Sequence, residues 1–185
     1  MTIILNAEAV QRIVSRIAHE IVEKNDPVQS LVLVGLQTRG VFLARRLANE
    51  IQGITKHEIP TGSLDISMYR DDLNLRKSPP HVKHTDITLN LDDKTVVIVD
   101  DVLFTGRSAR AAMDALNDFG RPNRIQFAVL IDRGHQELPI RADYVGKNVP
   151  TSTKERIHVR MKEEDGVDEV GIQKLPANQK TGDRI

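Results

Sequence analysis

Two runs of the chain are apolar almost without interruption, residues 31–36 (Leu-Val-Leu-Val-Gly-Leu) and residues 95–99 (Thr-Val-Val-Ile-Val). Successive side chains of an extended strand point to opposite faces, so an unbroken apolar run has to be buried on both. That is the signature of a parallel sheet sandwiched between helices. Each run leads through a short polar loop into a helical pattern. After Gln37-Thr38-Arg39-Gly40, residues Ala44, Leu47, Ala48 and Ile51 share one face. After residues 100–107, a helix is expected from Ser108 to about Asp118, with Gly120 as its left-handed cap. A further buried strand is predicted over 125–131. Strands alternating with helices place the chain in the α/β class, with a mainly parallel core sheet flanked by helices.

The rest of the chain reads less uniformly. Val10, Val14, Ile17 and Ile21 fall on one stripe of a 3.6-residue period, which predicts an amphipathic helix over 7–24 opened by Asn6 and closed by Asn25-Asp26-Pro27. Leu64, Ile66 and Met68 alternate with Asp65, Ser67 and Tyr69, a half-buried strand. Residues 70–86 carry several charges, Pro79-Pro80 and two histidines without any period. They read as a long mobile loop, and such loops inside compact domains are usually functional or disordered. A short strand is expected over 87–91, with Asp92-Asp93 as its turn. Short strands over 142–145, 156–161 and 167–172 are assigned to a smaller subdomain. The expectation is one domain over 1–172, its core at about 25–132, with 173–185 a fraying tail.

Composition excludes several function classes. Lys plus Arg and Asp plus Glu each number 26, so a protein that coats nucleic acid through overall charge is ruled out, and any such binding needs a local basic patch. There is no cysteine, hence no disulfide, thiolate metal site or cysteine nucleophile. No apolar run is long enough to span a membrane and no secretion signal opens the chain, so the cytoplasm is expected.

The chemistry concentrates in residues 96–108. A buried strand ends in Asp100-Asp101, passes through Val102-Leu103-Phe104-Thr105-Gly106-Arg107, and opens a helix at Ser108. Ligands of open α/β sheets sit beyond the carboxyl ends of strands. A helix start offers unpaired amides and a positive dipole end to a phosphate. Gly106 permits close backbone approach, and Thr105 and Ser108 add hydroxyl donors. The carboxylates repel phosphate, so Asp100 and Asp101 suit vicinal ribose hydroxyls or a hydrated divalent metal. Neither Gly-x-Gly-x-x-Gly nor a Gly-Lys-Ser loop is present, which disfavours dinucleotide and Walker-type sites.

This order of residues resembles the phosphoribosyl pyrophosphate (PRPP) signature of type I phosphoribosyltransferases. Four further segments narrow it: residues 16–20, residues 34–40, Tyr69-Arg70-Asp71-Asp72-Leu73, and residues 132–144. Together they resemble the PyrR group, bifunctional pyrimidine-operon attenuation regulators with uracil phosphoribosyltransferase activity. The resemblance implies a core sheet with a small hood, PRPP, uracil and UMP as ligands, Mg²⁺ carried with PRPP, and self-association. It makes Thr38-Arg39-Gly40 the pyrophosphate loop, with Arg39 partly neutralising the leaving group. Residues 70–86 become a loop that closes over PRPP, with Arg70 acting in catalysis beside Arg39, Asp100 and Asp101. Purine-salvage relatives carry an Asp three residues beyond the acidic pair; here that residue is Phe104, which cannot exchange a proton. By analogy with those relatives Tyr144 and Val145 lie beside the base, although Tyr144 reads equally as a core residue.

The same resemblance implies pyrimidine-operon leader RNA as a partner. Arg12, Ser15, Arg16, His19 and Glu23 share the polar face of the first helix, which by itself reads as a solvated face. Carried over by position, Ser15, Arg16, His19, Lys24, His135, Arg141 and Lys147 are the RNA-binding candidates, cations for phosphates and histidines for unpaired bases. Gln136 stands where many PyrR relatives carry Arg, which removes one charge-assisted contact. A salvage enzyme without RNA function, or a non-catalytic nucleotide sensor, are the alternatives.

Overall fold

The apolar run at Leu31–Leu36 forms strand β2, and every one of its residues is buried. The computed structural model of the chain describes residues 1–69 and 84–175. Before β2 come a short strand β1 (Thr2–Leu5) and helix α1 (Ala7–Lys24), whose start is closed by the Asn6 side chain accepting from the Ala9 amide at 2.9 Å. After it follow α2 (Arg39–Thr55), β3 (Thr61–Leu64), β4 (Thr95–Leu103), α3 (Arg107–Leu116) and β5 (Arg124–Asp132). The chain continues through β6 (Tyr144–Asn148), β7 (Glu155–Arg160), the single turn α4 (Lys162–Asp165) and β8 (Glu169–Lys174).

The core sheet has the order β3-β2-β4-β5-β6, and each neighbouring pair is parallel. The pleat sorts its apolar residues. Leu31, Leu33, Val97 and Val99 face α1 and α2, packing with Val14, Ile17, Leu43 and Leu47. Val32, Val34, Val96 and Ile98 face the other way, onto Ala109, Ala112 and Leu116 of α3. The crossovers leaving the adjacent strands β2 and β4 therefore depart to opposite faces. Such a switch point opens a crevice beyond the carboxyl ends of the two strands. A second sheet, β1-β8-β7, is antiparallel and buries Ile157, Val159 and Val170 in the cluster shared with α1 and α2.

Several local expectations are corrected. The strand expected through Ile66 and Met68 stops at Leu64, because β2 ends at Leu36 and offers no further rung; Ile66 begins a turn and Met68 is 62% exposed. Residues 87–91 are not a strand; an isolated bridge between Ser63 and Asp86 precedes them, and Ile87 lies against Gly62 of β3. The strand expected over 142–145 in the smaller subdomain forms at Tyr144–Asn148 and instead pairs with β5 as the edge of the core sheet. Strand β4 runs on to Leu103, so the acid pair lies inside it. Gly120 has φ 135 and ψ −174, a mirror-extended conformation rather than a left-handed helical cap. Gln173 and Lys174 belong to β8, while 176–185 lie outside the described residues, as does the 70–83 part of the expected loop. No helix among the described residues is long and apolar enough to cross a membrane.

Candidate active site

The loops after β2 and β4 meet in the crevice. Thr38 precedes α2 and Gly40 is buried in its first turn. A Cβ on Gly40 would stand 2.3 Å from the Val99 carbonyl oxygen and 3.2 Å from the Asp100 Cα. Only glycine lets the start of α2 rest on the end of β4, and this contact brings residues 38–40 beside the acid pair. Arg39 forks onto Asp165 at the end of α4, with Nη2 2.9 Å from Oδ1 and Nε 3.3 Å from Oδ2. Burial raises the Asp165 pKa, but the Met161 amide and the Arg39 guanidinium outweigh it, and the carboxyl ends below its usual range. About two turns further along α2, Arg46 binds Glu163 and Asp168 at 2.6 and 2.7 Å.

On the other side, the Asp101 amide donates to Asp100 Oδ1 at 2.9 Å, while Leu103 is buried and Val102 packs against the α1–α2 cluster. Gly106 adopts φ 89 and ψ −4 immediately before α3, the left-handed geometry that favours glycine. Thr105 is buried; its carbonyl accepts from the Glu137 and Leu138 amides at 3.0 and 3.2 Å, and its hydroxyl oxygen accepts from the Arg107 amide at 3.4 Å. Arg107 pairs with Glu137 at 2.8 Å, and Ser108 is half-buried in the first turn of α3. The loop is thus braced by residues 133–140.

Phe104 lies against Arg133, whose guanidinium carbon is 4.3 Å from the ring centroid, and meets the His135 ring edge-on at 6.1 Å. Arg133 is only 4% exposed and donates to Thr151 Oγ1 and to the carbonyls of Ser152 and Glu155 at 2.8 to 3.1 Å. Sequence reasoning missed this link between the loop and the segment entering β7; an arginine at the end of an apolar strand was the available signal. Asp165 was missed as well, since an acidic turn of Glu163-Glu164-Asp165 looks merely solvated.

Tyr144 and Val145 open β6, and the sheet register sets Tyr144 level with Val99 and Val145 level with Asp100, two strands from the acid pair. Tyr144 is 2% exposed, donates to Gln126 Oε1 at 3.0 Å and accepts from Asn25 Nδ2 at 2.9 Å. It is a core residue, and burial, partly offset by the Asn25 hydrogen bond, raises its pKa. The Val145 carbonyl accepts from Arg16.

The RNA candidates separate into two groups. Ser15, Arg16, His19 and Lys24 lie on α1, which is stitched to β6: Arg16 reaches the carbonyls of Val145 and Gly146, and Lys24 pairs with Asp143 at 3.0 Å. Lys147, next to Gly146 on β6, is exposed. His135 instead lies against Phe104, its Nε2 2.5 Å from the Thr151 carbonyl, and Arg141 is exposed beside Ile140, which packs over Gly106. His19 and Arg16 are exposed, though Arg16 also pairs with Glu20 at 2.5 Å. Arg70 lies outside the described residues.

This architecture has known counterparts. The chain is similar to the hypoxanthine phosphoribosyltransferase of Trypanosoma cruzi, with a TM-score of 0.71 at 16% identity over 95% of this chain and 98% of that one. It is similar also to a hypoxanthine phosphoribosyltransferase from Staphylococcus aureus, with a TM-score of 0.69 at 20% identity over 95% and 92%. At such identities the likeness shows the fold. Residues 1–164 match the phosphoribosyl transferase domain family. Relatives called bifunctional protein PyrR are far more alike: that of Chloroflexus aurantiacus is 59% identical over 175 residues, 95% of this chain and 96% of the relative. That of Bacillus cereus is 56% identical over 172 residues, covering 92% and 96%. By its fold, its crevice and this likeness along nearly its whole length, the chain belongs to the PyrR group of the type I phosphoribosyltransferase family.

Proposed function

We propose that the chain transfers the 5-phosphoribosyl group of PRPP to uracil, yielding UMP and pyrophosphate, and binds pyrimidine-operon leader RNA under the control of UMP. The observation that carries the first activity is the crevice at the β2–β4 switch point, where Gly40 rests on Val99 and the acid pair leads into the amides before α3. The 5-phosphate sits on the amides of Thr105 to Ser108, where the N–H groups of a helix start and the helix dipole favour an anion. Asp100 and Asp101 accept from the ribose hydroxyls. The amides of 38–40 and Arg39 take the pyrophosphate, and Arg70 is assigned a catalytic role beside Arg39 by the resemblance.

In the reaction the C1′–O bond of PRPP breaks, the electron pair leaves with pyrophosphate, and uracil N1 bonds to C1′ as its proton passes to solvent. With Phe104 where a proton-exchanging carboxylate would stand, rate comes from holding the base in line and excluding water. Among the described residues no cluster of three or more His, Asp or Glu side chains could hold a metal. Two adjacent carboxylates fit a Mg²⁺ ion that keeps most of its ligands from substrate oxygens and water. Such an ion would neutralise charge on the departing pyrophosphate.

The test is pyrophosphate release from PRPP and Mg²⁺ with uracil, hypoxanthine or orotate. Release with uracil alone is expected; none with uracil overturns the reading. For the regulatory activity, Ser15, Arg16, His19 and Lys24 on α1 supply one contact surface, with Lys147 on β6 and with His135 and Arg141 beside the nucleotide loop. That arrangement lets a nucleotide at Phe104 bias His135. Leader-RNA affinity unchanged by UMP at fixed salt would exclude the regulatory half and leave a salvage enzyme. The chain is also proposed to self-associate, which sedimentation checks.

A further inference from the structure

We infer that Asp165 is a positioning residue for pyrophosphate, holding Arg39 in the geometry that receives it. The inference rests on the reading of Arg39 as a pyrophosphate ligand and adds a residue on a different element, 126 positions away in sequence. Arginine has one of the more flexible side chains, and ordering it at the moment of binding costs affinity. Here it is ordered in advance. Asp165 accepts from Arg39 Nη2 at 2.9 and 3.1 Å and from Nε at 3.3 Å, the fork geometry of a carboxylate and a guanidinium. The pair is largely enclosed, with side-chain exposures of 32% for Arg39 and 20% for Asp165.

Asp165 is itself held. Its Oδ2 accepts from the Met161 amide at 2.8 Å, and Gly166, at φ 74, ends the turn with its amide on the Lys162 carbonyl. The whole turn is clamped to α2 by Arg46, which grips Glu163 and Asp168, while Asp168 also accepts from the Lys162 amide at 2.8 Å. The fork occupies Nε and Nη2 of Arg39 and leaves Nη1 on the opposite edge, where among the described residues it has no hydrogen-bond partner. The second sheet thereby acts on the chemistry through α2, by orienting one guanidinium edge without touching substrate.

The experiment measures binding of inorganic pyrophosphate with Mg²⁺, binding of UMP, and the steady-state constants for PRPP, in the full chain and in Asp165→Ala and Asp165→Asn. With Asp165→Ala, the pyrophosphate Kd and the KM for PRPP should each rise about tenfold, a loss of about 1.4 kcal/mol. The kcat should change much less, and UMP, which has no pyrophosphate, should bind as before. Asp165→Asn, which can still accept from Arg39, should fall between. Pyrophosphate binding that is unchanged or tighter in Asp165→Ala overturns the inference, as does equal weakening of pyrophosphate and UMP, which would mark general structural damage. If the unaltered chain binds neither ligand, it is the reading of the crevice that fails.

Discussion

Tyr144→Phe removes one hydroxyl group from the core, and the structure says what that hydroxyl does. It donates to Gln126 Oε1 at 3.0 Å and accepts from Asn25 Nδ2 at 2.9 Å. The two partners differ in how well they tolerate its loss. Asn25 is half-buried and keeps its bond to the Ile21 carbonyl at 2.8 Å. Gln126 is 2% exposed, and its Nε2 already has no hydrogen bond among the described residues. Without the hydroxyl, the carbonyl end of that amide is stranded as well. An unsatisfied buried polar group costs about 1–3 kcal/mol, so the substitution should destabilise the fold by about 2 kcal/mol. For a domain of this size each kcal/mol moves Tm by roughly 2–4 °C, giving a fall of roughly 4–8 °C. The ring remains, so the packing and the Lys24 ammonium 5.2 Å from its centroid should persist. Calorimetry and the KM for uracil should be read on the same preparation. A KM raised more than about threefold with Tm unchanged would refute the core assignment and return Tyr144 to the base pocket.

Gly40→Ala places a Cβ 2.3 Å from the Val99 carbonyl oxygen and pushes the start of α2 off β4. Turnover of PRPP should drop roughly 100-fold in kcat/KM, the scale of a misplacement near 1 Å; near-native activity would show that the crevice tolerates the shift. Arg46→Gln removes the clamp on α4. The Arg46 hydrogen bond holds Glu163 below its usual pKa, and for Asp168 that bond with the Lys162 amide outweighs the opposing effect of burial. Groups with depressed folded pKa values stabilise above their unfolded pKa and lose that contribution as pH falls through the folded value. The stability gap between native and Arg46→Gln chains, read by urea unfolding, should be full above about pH 5 and close below about pH 4; a gap constant down to about pH 3 would refute it. His19→Ala, at an exposed position on α1, should weaken leader-RNA binding several-fold with Tm unchanged; unaltered RNA binding in a gel shift would take α1 out of the interface.

Much of the fold is legible in the chain because its signals are local. An apolar run with no polar face can only be an inner strand, and β2 and β4 are such strands; the stripe from Val10 to Ile21 and the Asn6 cap delimit α1 at the residues expected. The acid pair, Gly106 and the start of α3 are contiguous, so strand end, turn and helix start could be read in one pass. Tertiary structure decided what depends on partners distant in sequence. Leu64, Ile66 and Met68 alternate correctly, yet β3 ends where β2 ends, because strand length is set by the neighbour's hydrogen-bonding edge. Tyr144 has the same side chain whether it stacks on a base or fills a core; the pairing of β6 with β5 and the positions of Asn25 and Gln126 chose the core. The Arg39–Asp165 fork joins residues that only the packing of the second sheet against α2 brings together. Local sequence specifies backbone periodicity and turn chemistry, whereas the partner of a polar side chain is specified by the fold as a whole.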